Sequence, residues 1–373
     1  MLKLLHIADV HLDSRFSGLA PSASAERRRE LRDVFSSALS LARNEGCKAV
    51  LIAGDLFDSD YYTADTLDFL RASFASMPDV IFIIAPGNHD PYNSTSPYRF
   101  ADFPQNVHVF KDERLSAIRI PELSLTVYGY AFTSSEYARN PIEGFTVRQT
   151  EDHSVLLAHT DLDKPMSIYA PIPSGVLSHA GFDYSALGHI HLGTAPENGY
   201  AYSGCIAGRD HGEEGEKGAI IVTFDSFGGK KTVSAQRVRL CPWVYATVTV
   251  DLGGASDVSE VLKRSEQTLV PYKPSVGKKY FIRLRLIGQS GCDIDTEIIR
   301  QTLSRFGVTE VINESVLSLS SLNLENDFSI RGELYRVLKP QILSDDPLVR
   351  AKALRALKLG LSALSGELSH VRR

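Results

Sequence analysis

Short apolar runs alternate, over the first ninety or so residues, with longer segments whose apolar positions return every three or four residues. "LKLLHIAD", "KAVLIAGD" and "VIFIIAPGN" predict three strands. Between the first two, Leu31, Phe35, Ala38, Leu39 and Ala42 recur at helical spacing within "ERRRELRDVFSSALSLARNEG", and Gly46 supplies a stop. "TADTLDFLRASFASM" predicts a second helix before the third strand. Strands that alternate with helices in this way predict βαβ units and a parallel sheet covered on both faces.

Beyond about residue 100 the pattern shortens to "NVHVF", "SAIRI", "LSLTVYGYAF", "SVLLAH", "YSALGHIH", "GAIIVTF" and "TVSAQRVRL", which predict a second, more antiparallel sheet packed on the first. Near residue 241, "PWVYATVTVDL" opens a strand, helix (256–268), strand, helix (294–306), strand order, a small α+β unit. The tail is helical. Asp346 and Pro347 give a start signal, and Leu354, Leu357, Leu361, Leu364 and Leu368 form a seam suited to docking on another helix, of a partner or by folding back on the chain's own cap. The chain therefore divides into 1–240, 241–333 and a helical tail, 334–373.

Composition narrows the class without naming a function. The chain is 43 % hydrophobic and 23 % charged, as globular proteins are, and no apolar run reaches the length of a membrane span. Cys47, Cys205, Cys241 and Cys292 are isolated from one another, which predicts free thiols in a reducing compartment, and the N-terminus has no signal-peptide pattern. A cytoplasmic protein is expected. The net charge of −5 gives no general attraction to nucleic acid, so binding there requires a local basic patch or a metal site.

Polar residues then collect where the apolar strands end. They are Asp9 and His11 in "IADVHLD", Asp55 and Asp58 in "AGDLFD", Asn88, His89 and Asp90 in "PGNHD", His159 in "LLAH", and His189 and His191 in "GHIH". Each has a plainer reading: a solvated loop pair, a turn, a satisfied core histidine, an exposed strand face. Their recurrence at five strand ends favours convergence, because ligands of open α/β sheets bind beyond the carboxyl ends of the strands. Imidazole, carboxylate and amide oxygen without thiolate suit Mn, Fe or Zn. Seven ligands drawn from such a set are too many for one ion and about right for two sharing a carboxylate, the arrangement that serves phosphoester hydrolysis.

Together, "DVH", "GDLFD", "GNHD", the lone histidine and "GHIH" resemble the five-part signature of the calcineurin-like metallophosphoesterases, over about 190 residues. "LLHIADVHLD", "DYSALGHIH" and "YSGCIAGRDHGEEGEKGA" are similar to the DNA-repair exonuclease branch, SbcD-type nucleases and especially their shorter YhaO-like members. The resemblance implies a two-sheet α/β sandwich flanked by helices, with a smaller α+β capping domain. It implies that Asp55 bridges two divalent ions, that Asp9, His11 and His191 hold one, and that Asn88, His159 and His189 hold the other. His89 would then protonate the leaving oxygen or stabilise the phosphorane, with Asp58 orienting it, and Asp90 would belong to the turn. Asp13, Asp161 and Asp163 match no ligand position and read as solvated loop residues. Ser203, Cys205 and His211 depart from the family's usual residues at positions that match no metal ligand of the family.

The expected activity is that of a Mn-dependent DNA exonuclease or endonuclease in DNA repair, acting with an SMC-like ABC ATPase through the C-terminal helices, and the resemblance also implies a homodimer. Arg15, Arg27, Arg28, Arg29 and Arg32, with "KPSVGKK" and "RLRL" in the second domain, are candidate phosphate contacts or solvated surface. The alternatives are an esterase of small phosphodiesters, phosphomonoesters or phosphoproteins, and a non-catalytic scaffold on the same fold.

Overall fold

The first unit of the chain opens with β1 (Leu2–Ile7), α1 (Pro21–Asn44), β2 (Ala49–Ile52), α2 (Ala64–Ala75) and β3 (Ile81–Ile84), followed by a one-turn α3 (Pro97–Phe100) and β4 (Val107–Val109). It continues through β5 (Ser116–Ile120), β6 (Leu125–Gly129), β7 (His153–His159), α4 (Ser174–His179), β8 (Tyr184–Gly188), β9 (Tyr200–Tyr202), β10 (Gly218–Phe227) and β11 (Lys230–Arg239). This computed structural model describes all residues except 18, 60, 149–151, 229, 276–277, 318–323 and 365–373. The chain divides into two units, Met1–Val244 and Tyr245–Arg373.

The predicted βαβ repeats form as a parallel run. One sheet has the order β11-β10-β1-β2-β3-β4, with β1 to β4 parallel and β10 antiparallel to β1. Helix α1 carries proline in its first turn and buries Leu31, Val34, Phe35, Ala38, Leu39 and Ala42, the residues at helical spacing. The Thr63 side chain caps α2 by accepting from the Thr66 amide, and Phe74 packs on Phe82 of β3 with ring centroids 4.5 Å apart.

The second sheet departs from expectation. Its order is β5-β6-β7-β8-β9, and only the β5–β6 pair is antiparallel. The segments "NVHVF", "GAIIVTF" and "TVSAQRVRL" join the first sheet instead, as β4, β10 and β11. The reason is visible in burial. Every residue of β7 and β8 is buried, as central parallel strands covered on both faces require. The crossovers are irregular chain or the short α4, so they lack the helical periodicity that announces a parallel pair. Between the sheets, Leu4, Leu51 and Ile83 meet Val127, Val155, Leu157 and Ala186 in one core. Each large side chain buried there contributes on the order of 1.5–3 kcal/mol. The sheets thus form a two-layer α/β sandwich flanked by helices, with the carboxyl ends of β1, β2, β3, β7 and β8 carrying the candidate residues.

His6 sits inside β1, fully buried, with Nδ1 3.0 Å from the Tyr184 hydroxyl and Nε2 3.2 Å from the Leu187 carbonyl. Burial, the main cause, pushes its pKa down to about 3. Above the unfolded value near 6.5 both states are neutral and nothing is lost. As pH falls from there toward 3, the unfolded chain takes a proton the folded one refuses, and stability drops by up to about 1.4 kcal/mol per pH unit. Urea unfolding of the metal-free protein at several pH values between 4 and 7 is expected to give a shallower pH slope for His6→Gln than for the wild type. Equal slopes would remove this role from His6.

The second unit begins within β12 (Trp243–Asp251) and contains α5 (Val258–Leu269), β13 (Lys279–Ile287), the short β14 (Gln289–Ser290), α6 (Thr296–Thr302), β15 (Val308–Asn313), β16 (Val316–Leu317), α7 (Ile330–Ile342) and α8 (Pro347–Leu364). Strands β12-β13-β15 form a sheet, and Val261, Leu269, Ile299 and Leu303 bury its Ile282, Leu284 and Leu286. Asp257 and Asp295 cap α5 and α6. The helix expected over 294–306 is shorter, because Leu303 leaves the helical geometry and Gly307 closes a 3₁₀ turn at φ 88°. The arginines of "RLRL" are paired, Arg283 with Glu310 and Arg285 with Glu314 at 2.7 and 2.6 Å. Part of "KPSVGKK", residues 276–277, lies outside the described residues.

In the tail, the Asp346 carboxylate accepts from the Leu348 amide at 2.8 Å, as an N-cap should. Helices α7 and α8 pack on each other around buried Leu357, with Leu334, Leu338 and Leu361 against it. Leu354 and Leu364 of the predicted seam stay partly exposed, and Leu368 lies outside the described residues. No helix among the described residues is long and apolar enough to cross a membrane.

Candidate metal centre

The loops after β1 and β2 are zipped together by backbone hydrogen bonds, Asp9 N to Gly54 O at 3.1 Å, His11 N to Asp55 O at 3.0 Å and Leu12 N to Leu56 O at 2.9 Å. Zipping places Asp9, His11 and Asp55 side by side, each with a left-handed backbone (φ 50°, 50° and 52°), and His189 after β8 is also left-handed at φ 98°. Four non-glycine residues in this region, at a cost of about 1–3 kcal/mol each, are what a site held by its surroundings shows. The His189 amide donates to Asp9 Oδ1 at 3.0 Å and so ties the second sheet's loop to the first.

Two glycines make the approach possible. Gly54 has φ +87°, and a Cβ there would stand 2.3 Å from Nδ1 of His159; a Cβ on Gly87 would stand 2.2 Å from Asp55 Oδ1. Gly54→Ala is therefore expected to displace His159 and weaken divalent-metal binding, read by calorimetric titration of the metal-free protein. Unchanged affinity would show that His159 is free to move aside.

The predicted residues converge in two groups. Nε2 of His159, Oδ1 of Asn88 and Nδ1 of His189 form a triangle with sides of 2.9, 3.2 and 3.3 Å. Nε2 of His11 lies 3.1 Å from Nε2 of His191, and ligand atoms of Asp9, His11 and His191 lie within 4.8 Å of one another. Asp55 stands between the groups, its Oδ2 3.8 Å from His11 Nε2 and 3.4 Å from His159 Nε2. Asp9, His11, Asp55 and His159 are almost completely buried.

The donor set itself tests whether cations fit. Nδ1 of His159 is 3.0 Å from the Ala53 carbonyl, which can only accept, so Nδ1 carries the proton and Nε2 turns a lone pair toward Asn88 and Asp55 oxygens. Nδ1 of His191 donates to Glu213 Oε1 at 2.6 Å, so its Nε2 turns a lone pair toward His11. The His159 lone pair facing the Asn88 and Asp55 oxygens is resolved by a cation, so the residues fit divalent metal. Burial, followed by lesser effects that include the neighbouring Asp55, raises Asp9 to about 7. Burial also lowers His11 to about 4 and His159 to about 3, keeping both imidazoles neutral as metal ligands must be.

His89 lies outside these groups. It is exposed, its ring is edge-on to His11 with centroids 4.9 Å apart, and its amide donates to Asp55 Oδ1 at 3.0 Å. Its Nδ1 is 2.8 Å from the carbonyl oxygen of Asp58. The Asp58 carboxylate, expected to orient His89, is engaged elsewhere: Oδ1 is 3.2 Å from His11 Nδ1, accepts from Ser14 Oγ at 2.9 Å and pairs with Arg209 at 2.7 Å. Burial would raise the Asp58 pKa, but the contact with His11 and the charge of Arg209 hold it down at about 2.

Other aspartates also differ from their expected roles. Asp90 is in the turn, but its buried carboxylate accepts from the amides of Asp55, Phe57 and Gly87 and from Tyr98, locking two loops together. Asp161 is buried, held by Lys164 and Ser167, with Oδ2 3.6 Å from His189 Nε2. Asp13 is buried too and accepts from the Thr63 amide at 3.0 Å, whereas Asp163 is exposed as expected. Arg27 is buried over the Trp243 ring at 4.2 Å and Arg32 pairs with Asp65, so neither belongs to a solvated face; Arg15 and Arg29 are exposed.

Sequence reasoning missed Glu213 and Arg209, although both stand in "GRDHGEEGEKG". Burial opposes ionisation of Glu213, but hydrogen bonds from His191 and Arg209 hold its carboxyl far below the usual range. Cys205 comes within reach of His191 and Glu213, yet burial pushes its thiol pKa up and Sγ donates to the His191 carbonyl at 3.5 Å.

The calcineurin-like phosphoesterase family model matches residues 2–193. The chain is 26 % identical over 301 residues to the uncharacterized metallophosphoesterase YhaO of Bacillus subtilis, covering 77 % of this chain and 72 % of that one. It is 27 % identical over 199 residues to the DNA double-strand break repair protein Mre11 of Saccharolobus solfataricus, covering 51 % of this chain and half of that protein's length. Among solved structures, a dimetal phosphatase from Danio rerio aligns with 63 % of this chain and 95 % of its own, at 14 % identity and a TM-score of 0.36.

Proposed function

Because the chain belongs to the calcineurin-like phosphoesterase family, we propose that it is a two-metal phosphodiesterase that cleaves DNA, a nuclease of DNA repair working with Mn. The observation that carries this reading is Asp55, whose Oδ2 faces one histidine from each group at 3.8 and 3.4 Å. In the proposal Asp9, His11 and His191 hold one ion, Asn88, His159 and His189 hold the other, and Asp55 is shared. When bound, the ions supply Lewis-acid polarisation of the phosphoester and activation of water.

The remaining chemistry belongs to side chains. The Asp58 carbonyl accepts from Nδ1 of His89 and so leaves Nε2 for the chemistry. An imidazolium there carries a proton on Nε2 that it can deliver to the leaving oxygen, and its charge stabilises the phosphorane. The exposure of His89 supports this role, since the group must reach substrate rather than metal.

DNA is favoured over a small diester by the similarity to Mre11, a DNA double-strand break repair protein, and by cationic surface on both units. Arg15 and Arg29 are exposed on the first, and Lys263, Lys273 and Arg305 line a pocket with Glu266 on the second. Docking of an SMC-like ABC ATPase on the C-terminal helices is part of the proposal. It is supported by the exposure of Ile330, Val337, Leu343 and Leu348, with Lys352 and Arg355 beside them. Measured in Mn, kcat/KM for labelled duplex and single-stranded DNA is expected to exceed that for bis-p-nitrophenyl phosphate. A preference for the small diester would replace DNA by a small phosphodiester.

A further inference from the structure

The two halves of the centre are supported differently. Behind His159 stands a backbone carbonyl, that of Ala53, at 3.0 Å, and Asp161, 3.6 Å from His189, is held by Lys164 and Ser167. Behind His11 and His191 stand two carboxylates from distant parts of the chain, Asp58 at 3.2 Å and Glu213 at 2.6 Å. His11 Nδ1 meets Asp58 off the line of a straight hydrogen bond, so on that side of the ring the position of the carboxylate matters more than a bond to it.

One guanidinium spans both carboxylates. Arg209 Nη1 donates to Asp58 Oδ1 at 2.7 Å and to Ser14 Oγ at 3.2 Å; Nη2 donates to Glu213 Oε1 at 2.6 Å; Nε donates to the same carboxylate at 3.0 Å. The Arg209 amide donates to Glu213 Oε2 at 2.7 Å, which holds the residue's own backbone to its partner. Ser14 Oγ donates to Asp58 Oδ1 and lies 2.9 Å from the His11 carbonyl, closing the network on the loop that carries His11. A planar fork with donors on both edges fits two carboxylates at once, which an ammonium point charge does not.

We propose that Arg209 is a positioning residue: by clamping Asp58 and Glu213 together it presets His11 and His191, and so governs the affinity of the ion held with Asp9 but not of its neighbour. The proposal rests on the two-metal reading of the site. Partners behind a metal-ligating histidine fix its tautomer and orientation, and their loss costs on the order of 10–100-fold in affinity. The selectivity between halves is what this chain adds, because the Asn88, His159 and His189 half draws on none of these contacts.

The test is Mn titration of the metal-free full chain by calorimetry, with bound metal counted after desalting. Wild type is expected to bind two ions. Arg209→Met is expected to keep one at wild-type affinity and weaken the other about 10–100-fold. Arg209→Lys, which keeps charge but cannot span both carboxylates, is expected to show the same one-ion defect, and Glu213→Gln a smaller one. Should Arg209→Met fail to fold, Arg209→Lys decides. Two wild-type ions with equal weakening of both in Arg209→Lys, or weakening of neither, would overturn the clamp and leave the two-metal reading standing. Fewer than two ions on the wild type would overturn that reading itself and the clamp with it.

Discussion

Replacing His89 by glutamine lowers the rate of phosphodiester cleavage by about 10²–10⁴-fold, the usual contribution of a general acid, while two metal ions remain bound. The expectation follows from position. His89 is exposed beside the buried ligands and approaches Asp55 only through its amide, which glutamine retains. Its side chain touches the Asp58 carbonyl and the edge of His11, so under the proposed assignment its loss removes a proton donor and no ligand. The split between rate and metal content is the discriminating result. If His89→Gln lost metal in step with activity, the imidazole would be a ligand. If turnover were unchanged, it would have no role in the chemical step.

Asp55→Asn is expected to remove both ions and with them more than about 100-fold of activity, beyond the 10–100-fold typical of a residue standing behind a ligand. Its carboxylate faces a histidine of each half, and an amide of the same shape withdraws the negative charge they share. The same change is expected to leave the metal-free protein at least as stable as wild type. Burial and then the Asp55 charge raise Asp90 to about 7, and Asp55 adds to the raising of Asp9, so the three buried carboxylates oppose one another. Asparagine removes that repulsion and brings an amide donor toward the His159 lone pair. A functional site held at the expense of stability behaves in this way. Metal analysis and urea unfolding in EDTA read the two effects separately; a large loss of stability would contradict this balance.

Much of the centre is legible in the sequence because its residues sit at strand ends, where an apolar run stops abruptly on Asp, Asn or His. The β1–α1–β2–α2–β3 order is legible for the same reason, since Leu31, Phe35 and Leu39 repeat at the period of a buried helix face. The parallel second sheet is not legible, because its crossovers lack long helices, and alternation of short strands reads equally as antiparallel. Side-chain direction is likewise hidden. Nothing in "GDLFD" says that Asp58 offers its carbonyl to His89 and its carboxylate to His11 and Arg209. Nor does spacing separate buried Asp161 from exposed Asp163, two residues along. Glu213 and Arg209 announce themselves only as charges in a polar stretch, and their meaning comes from His191, 22 and 18 residues away in sequence.

The central claim is that these loops build a two-metal centre for cutting phosphodiesters in DNA, and Mn titration of the cleavage of an end-labelled duplex tests it most directly. Expected are no cleavage in EDTA, recovery on adding Mn, full activity only when two ions are bound per chain, and loss of that recovery in Asp55→Asn. Cleavage undiminished in EDTA, or a fully loaded protein that cuts no phosphodiester, would contradict it.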